Sequence, residues 1–431
     1  MSYSFIGPYF LNPYLARYEQ ALNLAADAFS DPTTDHDPPT LLDRPPPATP
    51  AYTLVRSKNV GMTAVLLFAR DPLAIADVQE AEVGFGAAEM GNKGAAGVRV
   101  LYEARDTGES TEMTFVGTHL AAMEWNLARR NANWAAIMRG LTFEDPEEIL
   151  KPRTASSDAA SQGDGEEGQD VEDVVRLLHD QHNEESREMQ RRLQDISVFK
   201  PTSHLFVGGD LNYRISATSP TPGANFPSLD PESENYHPRF FPLDQLTRER
   251  TAGRTLHGLT EAEVEFPPTY KYDVVSGGTG SGNPLDVAWK FAPHRYPSWT
   301  DRVLYLDTPA WTKSLKPETP GIKVHAYNAL PVIATSDHRA VFFRATVPMV
   351  PTDDLLPPAR DDSYSPEWDL DPRARLPVEV DPEAWGRRAA ARQKEVMAGW
   401  SMFLWSTQEG ALILGTVVIA AISGWWLYQQ L

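Results

Sequence analysis

Short apolar or alternating runs recur along most of the chain, and longer runs with a helical spacing separate them. Apolar residues at every second position are typical of half-buried strands, whereas apolar residues three and four positions apart are typical of helices. The pattern predicts strands at 63–69, 98–102, 113–118, 204–207, 302–306 and 340–347, and helices at 13–29, 124–141 and 171–196. Strands and helices mixed within one long domain favour an α/β sandwich.

The end of the chain carries an apolar run of another kind. Residues 410–428 contain no charged side chain, and as a helix they span about 28 Å, close to the hydrocarbon thickness of a bilayer. Trp425, Trp426 and Tyr428 stand at the far end, where amphipathic rings favour the headgroup region. The positive flank expected on the cytosolic side is supplied by Arg387, Arg388, Arg392 and Lys394.

A buried core helix is the alternative interpretation of this run, but core helices rarely lack a polar face. The sequence therefore predicts one transmembrane helix, acting as a tail anchor that leaves the rest of the protein in the cytosol. Its short length suits the endoplasmic reticulum, whose bilayer is relatively thin, and the mitochondrial outer membrane is the alternative.

Two stretches depart from the alternating pattern. Residues 151–170 are rich in Ser, Gly, Asp and Glu, which predicts an exposed, disordered insertion. Residues 349–400 begin rich in Pro and Asp, which indicates an extended linker, and end in a basic juxtamembrane segment. The sequence thus predicts one catalytic domain over 1–348, a linker and an anchor.

The charge and the cysteine content exclude several classes of protein. The net charge is −20, whereas a general nucleic-acid binder needs an excess of Lys and Arg, so no nucleic-acid partner is expected. A local basic pocket for a small phosphorylated substrate remains compatible with an acidic protein. The chain has no cysteine, which rules out disulfides, thiolate zinc sites and a thiol nucleophile.

The segment HLFVGGDLNYR at 204–214 is the most informative motif. An apolar strand delivers Asp210 and Asn212 at its end, and residues two apart on a strand point to the same side. A carboxylate there can take a proton from water, and an amide can hold the water or a phosphate oxygen. An Asx turn at a strand end is the structural alternative.

Other polar groups also stand at predicted strand ends or in rigid loops. An adjacent Asp337 and His338 could supply a metal or proton partner and an imidazole, and Asp301 could hold that imidazole in its reactive tautomer. A lone Asp-His pair is also common at loop ends. The remaining candidates are His119, Asn92 and Lys93 between two glycines, and Tyr270 and Lys271 after two prolines.

The order and spacing of these motifs together resemble the inositol polyphosphate 5-phosphatases, within the endonuclease/exonuclease/phosphatase superfamily. The resemblance covers about residues 1–348 and implies a four-layer α/β sandwich of the deoxyribonuclease I-like type. It rests on GNKG at 91–94, THLAA at 118–122, GDLNYR at 209–214, FPPTYKY at 266–272, PSWTDR at 297–302 and SDHR at 336–339.

The resemblance implies removal of the 5-phosphate from an inositol ring with one Mg²⁺. Asp210 would activate the attacking water, Asn212 and His119 would hold the scissile phosphate, and His338, oriented by Asp301, would contact the phosphate. Phosphoryl transfer depends mainly on positioning and electrostatic stabilisation, which suits such a set. Asp337 would lie near the metal, and the substrate would be bound by Asn92, Lys93, Tyr270, Lys271, Arg295 and Arg339.

The chain departs from the family pattern at its beginning. Relatives carry two earlier strands, the second ending in Gln-Glu, and this Glu is the principal Mg²⁺ ligand; residues 2–7 resemble the segment just after it. Glu19 falls within a predicted helix and is a poor replacement. From the sequence as written we expect weak Mg²⁺ affinity and little or no activity.

Three functions are compatible with these motifs. The first is a membrane-anchored phosphoinositide 5-phosphatase acting on phosphatidylinositol 4,5-bisphosphate or a related lipid, because the anchor concentrates the enzyme where such lipids lie. The second is a catalytically inactive, membrane-anchored adaptor that binds phosphoinositides. A nuclease or sphingomyelinase is the third, disfavoured by the 5-phosphatase motifs and by the acidic charge.

Overall fold

The strands of the protein form one central sheet and three two-stranded pairs. The computed structural model describes residues 2–30, 49–151, 171–275, 287–360 and 364–430. Within these ranges the strands are β1 Thr53–Val60, β2 Thr63–Ala69, β3 Ile75–Gly84, β4 Gly94–Glu103, β5 Ser110–His119, β6 Ser203–Asp210, β7 Tyr272–Val274, β8 Trp289–Phe291, β9 Asp301–Leu306, β10 Lys323–Ala329 and β11 Val341–Thr346.

The helices lie between and around these strands. They are α1 Ser2–Ile6, α2 Pro8–Ser30, α3 Leu127–Gly140, α4 Pro146–Leu150, α5 Val171–Ile196, α6 Gln245–Thr251, α7 Ala310–Leu315, α8 Thr352–Leu355, α9 Ala384–Ser406 and α10 Gln408–Gln430. Short 3₁₀ turns cover Pro72–Ala74, Ala87–Glu89, His237–Leu243 and Pro366–Leu370. The predicted helices and strands are thus present, with ends shifted by a few residues.

The central sheet has the strand order β3-β4-β5-β6-β9. The pair β5–β6 is parallel, and its neighbours on both sides are antiparallel. Because β5 and β6 run in the same direction, their carboxyl ends meet at one edge of the sheet. The chain makes its long crossover between them through α3, α4 and α5.

Two layers of strands pack face to face. Side chains alternate along a strand, so one face of β6 carries Phe206 and the other carries Leu205 and Val207. The Phe206 ring lies 6.3 Å from the ring of Phe343 on β11, which places the β10–β11 pair against this face. Leu205 and Val207 are buried in a core that also contains Trp134 of α3. The predicted α/β sandwich is confirmed.

The segment predicted as an extended linker is instead folded against the domain. Arg373 is buried, its guanidinium donates to Asp371 Oδ2 at 2.7 Å and to the carbonyl of Asp307 at 2.8 Å, and Gln194 Nε2 donates to the carbonyl of Pro372 at 3.0 Å. Further along, Trp385 of α9 donates its Nε1–H to the Thr142 hydroxyl at 2.9 Å. The prolines interrupt helices and strands here, but they do not keep the chain away from the domain.

The last two helices are joined through a single residue. Thr407 donates its N–H and its hydroxyl to the carbonyl of Phe403 in α9, at 3.2 and 2.7 Å. The same hydroxyl accepts the N–H of Gly410 in the first turn of α10 at 3.0 Å. Thr407 therefore caps the end of one helix and the start of the next.

The helix α10 contains the predicted span. It has 23 residues, its most apolar 18-residue window has a mean hydropathy of 1.9, and only 6% of that window is buried. By length and composition it is able to cross a bilayer. The predicted insertion at 151–170 lies outside the described residues from position 152 onward.

Candidate active site

Four motif residues lie in one row across an edge of the central sheet. In the strand register Gly94 of β4 stands opposite His119 of β5, His119 opposite Asp210 of β6, and Asp210 opposite Asp301 of β9. Neighbouring strands are about 4.8 Å apart, so the whole row spans about 15 Å. We call Gly94, His119, Asp210 and Asp301 the active-site row. Motifs far apart in the sequence meet here because each occupies the end of a paired strand.

The turn after β6 fixes the two polar groups of the GDLNYR motif. Gly209 has φ +137°, and a Cβ at this position would lie 2.0 Å from the carbonyl oxygen of Thr118, so only glycine fits. Asn212 has φ +58°, a left-handed conformation that Asn tolerates well. Its N–H and its Nδ2 donate to the two oxygens of Asp210 at 3.0 and 2.9 Å. The bond from the Asn212 N–H to the Asp210 side chain is an Asx turn, the structural alternative given above. This turn after β6, rather than strand alternation, brings Asp210 and Asn212 together.

His119 connects this carboxylate to the GNKG loop, residues 91–94. The Nε2 atom of His119 lies 3.2 Å from Oδ2 of Asp210 and also contacts Nζ of Lys93. Burial would raise the pKa of Asp210, but its hydrogen bond with His119 and the nearby positive charges outweigh burial and lower this pKa. Burial lowers the pKa of Lys93, and the charge of Asp210 opposes that shift only in part. Because its pKa is lowered, the Asp210 carboxylate is ionised at neutral pH.

On the other side of Asp210, Asp301 holds His338. The Nδ1 of His338 lies 2.9 Å from Oδ2 of Asp301, and the same oxygen accepts the hydroxyls of Thr269 at 2.7 Å and Thr300 at 2.8 Å. A carboxylate oxygen fixed by two hydroxyls can hold the ring in one orientation. This contact matches the orienting role expected of Asp301.

The charge on His338 follows from its acidic surroundings. Burial lowers the pKa of His338, but its hydrogen bond to Asp301 and the negative charges of Asp301, Asp210 and Asp337 outweigh burial and raise this pKa. The imidazolium form is therefore more populated than in a free histidine at the same pH. It carries N–H on both ring nitrogens, so that Nε2–H can donate to an anion while Nδ1–H stays on Asp301.

Tyr270 contacts two basic groups of the site. Its ring centroid is 4.5 Å from that of His338, and the Arg214 guanidinium lies 4.3 Å from the ring. Arg214 also donates to the side-chain oxygen of Asn212. The Tyr270 ring, in the loop after the two prolines, thus contacts both His338 and Arg214.

The described residues do not fit a Mg²⁺ ion. Within the described ranges, no three His, Asp or Glu side chains gather into a group that could hold a metal. Asp337, the predicted ligand, pairs with Nζ of Lys271 instead. Burial would raise the pKa of Asp337, but the hydrogen bond from Lys271 and the charge of His338 outweigh it and lower the pKa. Lys271 therefore occupies the carboxylate that was expected to lie near the metal.

A buried acid two residues after the THLAA motif lies beside Arg295. Glu124 is buried, its two carboxylate oxygens make no hydrogen bond within the described residues, and Arg295 Nε lies 3.4 Å from Oε1. Buried Arg130 holds the backbone of this loop through the carbonyls of Ala121 and Met123, at 3.2 and 2.6 Å. Arg130 thus fixes the loop after His119, and Glu124 orients the predicted phosphate-binding Arg295.

Two predicted substrate-binding residues lie apart from the active-site row. Asn92 is exposed, and its Oδ1 occupies the space that a Cβ on Gly86 would need. The guanidinium of Arg339 lies 5.7 Å from the ring of buried Tyr272. Their predicted contact with substrate stays a prediction.

The structure also brings in residues that the sequence motifs do not assign to the site. Arg214 and Glu124 are examples, and both stand within or just after a motif named above. A basic or acidic residue at the edge of a strand-end motif is therefore the signal that could have identified them. Glu395 is the third, and no local signal marks it, because it reaches the GNKG loop from a helix 304 residues further on.

Comparison with known families agrees with this geometry. Residues 39–344 match the family model described as endonuclease/exonuclease/phosphatase family 2. The chain belongs to this family. The predicted superfamily and the α/β sandwich that goes with it are therefore confirmed.

Similar proteins are inositide phosphatases by name. The type II inositol polyphosphate 5-phosphatase 14 of Arabidopsis thaliana is 29% identical over 271 residues, which are 62% of this chain and 20% of that protein. The human phosphatidylinositol 3,4,5-trisphosphate 5-phosphatase 2 is 30% identical over 290 residues, 65% of this chain and 17% of the human protein. The resemblance to the 5-phosphatase branch is confirmed, and the chain spans about a fifth of the length of these relatives.

A solved structure is similar as well. The inositol polyphosphate 5-phosphatase domain of SpSynaptojanin, in complex with inositol (1,4)-bisphosphate and calcium ion, is 22% identical, with a TM-score of 0.44. The similarity covers 78% of this chain and 69% of that domain.

Proposed function

We propose that the protein is a membrane-anchored phosphoinositide 5-phosphatase that hydrolyses phosphatidylinositol 4,5-bisphosphate or a related 5-phosphorylated lipid. The observation that carries the proposal is the active-site row, in which an ionised carboxylate stands between one imidazole on β5 and a second carboxylate that holds His338. The names of the relatives support the same reaction.

The attacking water would be deprotonated by Asp210. The carboxylate accepts one proton, the water oxygen bonds to phosphorus, the bond from phosphorus to the inositol oxygen breaks, and the leaving oxygen takes a proton from solvent water. Asn212 Nδ2 donates to Asp210 at 2.9 Å and to the carbonyl of Leu120 at 3.2 Å, so both amide hydrogens are engaged and Asn212 would act by holding the Asp210 carboxylate in place. The protonated His338 would donate to the phosphate as charge moves toward the leaving oxygen.

Recognition of the remaining phosphates would fall to the cations around the row. Lys93, Lys271 and Arg295 each contact a site residue, namely His119, Asp337 and Glu124. A phosphate that replaces an acidic partner at Lys271 or Arg295 would gain a charge-assisted hydrogen bond. Pro293 stands where family members usually carry a second basic residue, so recognition of the 4-phosphate would differ from theirs.

The lipid nature of the substrate follows from the C-terminal helix. We propose that α10 is a tail anchor in the endoplasmic reticulum membrane and that the catalytic domain faces the cytosol. An enzyme held at a surface meets lipid headgroups at a far higher effective concentration than a soluble enzyme does.

The experiment measures phosphate release by the full chain, reconstituted in vesicles that contain phosphatidylinositol 4,5-bisphosphate, and compares it with release from soluble inositol 1,4,5-trisphosphate. Asp210→Ala and His338→Ala should abolish release, and Asp106→Ala, a change on an exposed turn, should leave it intact. Absence of release from every 5-phosphorylated inositide, both by this chain and by a chain extended with the two upstream strands of its relatives, would refute the enzymatic proposal.

A catalytically inactive phosphoinositide-binding adaptor is the second candidate. It is favoured by one observation, the lack of a metal-binding group within the described residues. Vesicle co-sedimentation distinguishes the two functions. The adaptor predicts lipid binding without phosphate release, whereas the enzyme predicts release that disappears with Asp210→Ala.

A further inference from the structure

Glu395 is a buried acid far from the motifs that nevertheless touches one of them. Glu395 is fully buried on α9, and its Oε1 accepts the backbone N–H of Gly91 at 2.7 Å. The two residues are 304 positions apart. Gly91 is the first residue of the GNKG loop, so the C-terminal helix contacts this loop directly.

The carboxylate is held ionised by arginines of its own helix. Arg388 donates to both oxygens of Glu395 at 2.6 and 2.9 Å, and Arg392 donates to Oε2 at 3.2 Å. Burial would raise the pKa of Glu395, but these hydrogen bonds and charges outweigh burial and lower it. The N–H of Gly91 therefore donates to a full negative charge, which gives a stronger hydrogen bond than a neutral acceptor would.

The same arginine attaches the helix to the sheet. Arg388 Nε donates to Glu82 of β3 at 2.7 Å, and Glu82 in turn lies 3.1 Å from Nζ of Lys58 on β1. Both Arg388 and Glu82 are largely buried. This series of ion pairs fixes the position of Glu395 relative to β3, which precedes the GNKG loop, and to β1.

The GNKG loop has no room to move away from Glu395. A Cβ on Gly91 would come within 2.5 Å of Val60 Cγ2, and a Cβ on Gly61 would come within 2.0 Å of the Gly91 carbonyl oxygen. Gly91 is thus held between the β1–β2 turn and α9. Two residues later, Lys93 contacts His119 in the active-site row.

We infer that Glu395 is a positioning residue that holds the GNKG loop, and through it Lys93, against His119 and Asp210. The inference rests on the proposed function, because Lys93 is assigned there to a substrate phosphate. It goes beyond that function in making α9, the helix that leads into the candidate span, a structural part of the active site. Undocking of α9 would then release the loop.

The experiment uses the full chain in detergent micelles and compares Glu395→Gln, Glu395→Ala and the double variant Glu395→Gln/Arg388→Gln. The double variant leaves no buried unpaired charge between these two positions, so it keeps the fold testable. Glu383→Gln is the matched control, since Glu383 is an exposed carboxylate at the start of the same helix. Melting temperatures identify variants that fail to fold.

Two readouts separate positioning from general stability. With inositol 1,4,5-trisphosphate as substrate, we expect KM to rise about tenfold in Glu395→Ala while kcat changes little, because loss of a ground-state phosphate contact weakens binding uniformly. Amide hydrogen exchange of the 85–94 segment should become faster in the Glu395 variants and stay unchanged in Glu383→Gln. In the unsubstituted chain the Gly91 amide should already be protected.

A fast-exchanging Gly91 amide in the unsubstituted chain would overturn the inference without any variant. So would Glu395 variants that melt earlier yet keep KM and the exchange of 85–94 unchanged, since this combination indicates a purely structural role. If neither the unsubstituted chain nor the extended chain releases phosphate, the proposed function fails, while calorimetric binding of inositol 1,4,5-trisphosphate and the exchange measurement still test Glu395.

Discussion

His338 and Asp301 are 37 residues apart in the chain, and Nδ1 of His338 donates to Oδ2 of Asp301 at 2.9 Å. The carboxylate is in turn fixed by two threonine hydroxyls, so the imidazole has one supported orientation. Burial lowers the pKa of His338, and the hydrogen bond to Asp301 and the surrounding carboxylates raise it further than burial lowers it. The pair is thus a charged contact whose strength depends on pH.

The stability that this contact contributes should fall as the pH rises. Because the pKa of His338 is raised in the folded protein, the contribution is complete below the unfolded value of about 6.5 and disappears as the pH passes the folded value. The loss in unfolding free energy caused by Asp301→Asn should therefore be larger at about pH 6 than at about pH 9. Urea denaturation at the two pH values measures it.

A double-mutant cycle supplies the control for this prediction. In a His338→Gln background no imidazole remains to titrate, so Asp301→Asn should cost the same free energy at both pH values. An equal cost of Asp301→Asn at both pH values in the original chain would show that the contact does not raise the pKa of His338.

Gly209→Ala should destabilise the protein more than a typical glycine replacement. The backbone has φ +137° and the new Cβ would meet the Thr118 carbonyl oxygen at 2.0 Å, so both strain and a collision with backbone arise. Gly223→Ala is the matched control, because its φ is +81° with open space around it. We expect Gly223→Ala to lower the free energy of unfolding by about 1 kcal/mol. Gly209→Ala should lower it by at least about 2 kcal/mol more, and chemical denaturation measures both.

Loss of Arg302 should be among the costliest changes in the chain. Its side chain is fully buried, and it bonds Glu261 Oε1 and Oε2 at 2.5 and 2.7 Å and Asp244 Oδ2 at 3.1 Å. Arg302→Ala would leave two buried carboxylates without their cation, which costs about 3–5 kcal/mol. The exposed pair of Arg105 and Asp71, at 3.3 Å, offers the comparison, and Arg105→Ala should cost less than about 1 kcal/mol.

Mg²⁺ should bind the chain weakly. Within the described residues no group of three His, Asp or Glu side chains is present, and Lys271 already neutralises Asp337. Calorimetric titration should therefore show no site with a Kd below about 1 mM, which is the weak end of the affinities that Ca²⁺ modules reach. Micromolar binding that disappears with Asp337→Ala would contradict this expectation, and Lys271→Met, which frees Asp337, should strengthen any residual binding.

The sequence was sufficient for the residues at the ends of β5, β6 and β9, because each stands in a motif and strand pairing then forces the motifs together. It missed β3, whose Glu80 and Glu82 look unsuitable for a packed strand. Both pair with cations of β1, which belongs to a separate two-stranded sheet: Glu80 lies 3.4 Å from Arg56, and Glu82 lies 3.1 Å from Lys58. Such pairing is a property of the assembled fold and leaves no trace in local spacing.

The predicted linker was wrong for a related reason. Its Pro and Asp content excludes regular structure locally, but whether such a segment packs depends on partners elsewhere in the chain. Arg373 finds Asp371 and a backbone carbonyl, and Glu395 finds the backbone of Gly91. The composition of the predicted linker indicated that it has no long helix between residues 349 and 384. It could not predict these contacts.

With α10 in the proposed membrane position, the single-residue joint at Thr407 would limit how far the rest of the chain can move from the bilayer. A flexible tether lets a domain explore a volume whose radius grows with the square root of its length, and one capped residue allows almost none. With α10 in a bilayer, the active site would stand at one height and one tilt, above a fixed footprint of headgroups. Lipids would then arrive by lateral diffusion, and inserting about ten Gly and Ser residues after Thr407 should change turnover on sparse vesicles while leaving soluble-substrate turnover unchanged. The protein would keep a fixed orientation on the membrane while its lipid substrate diffuses past it.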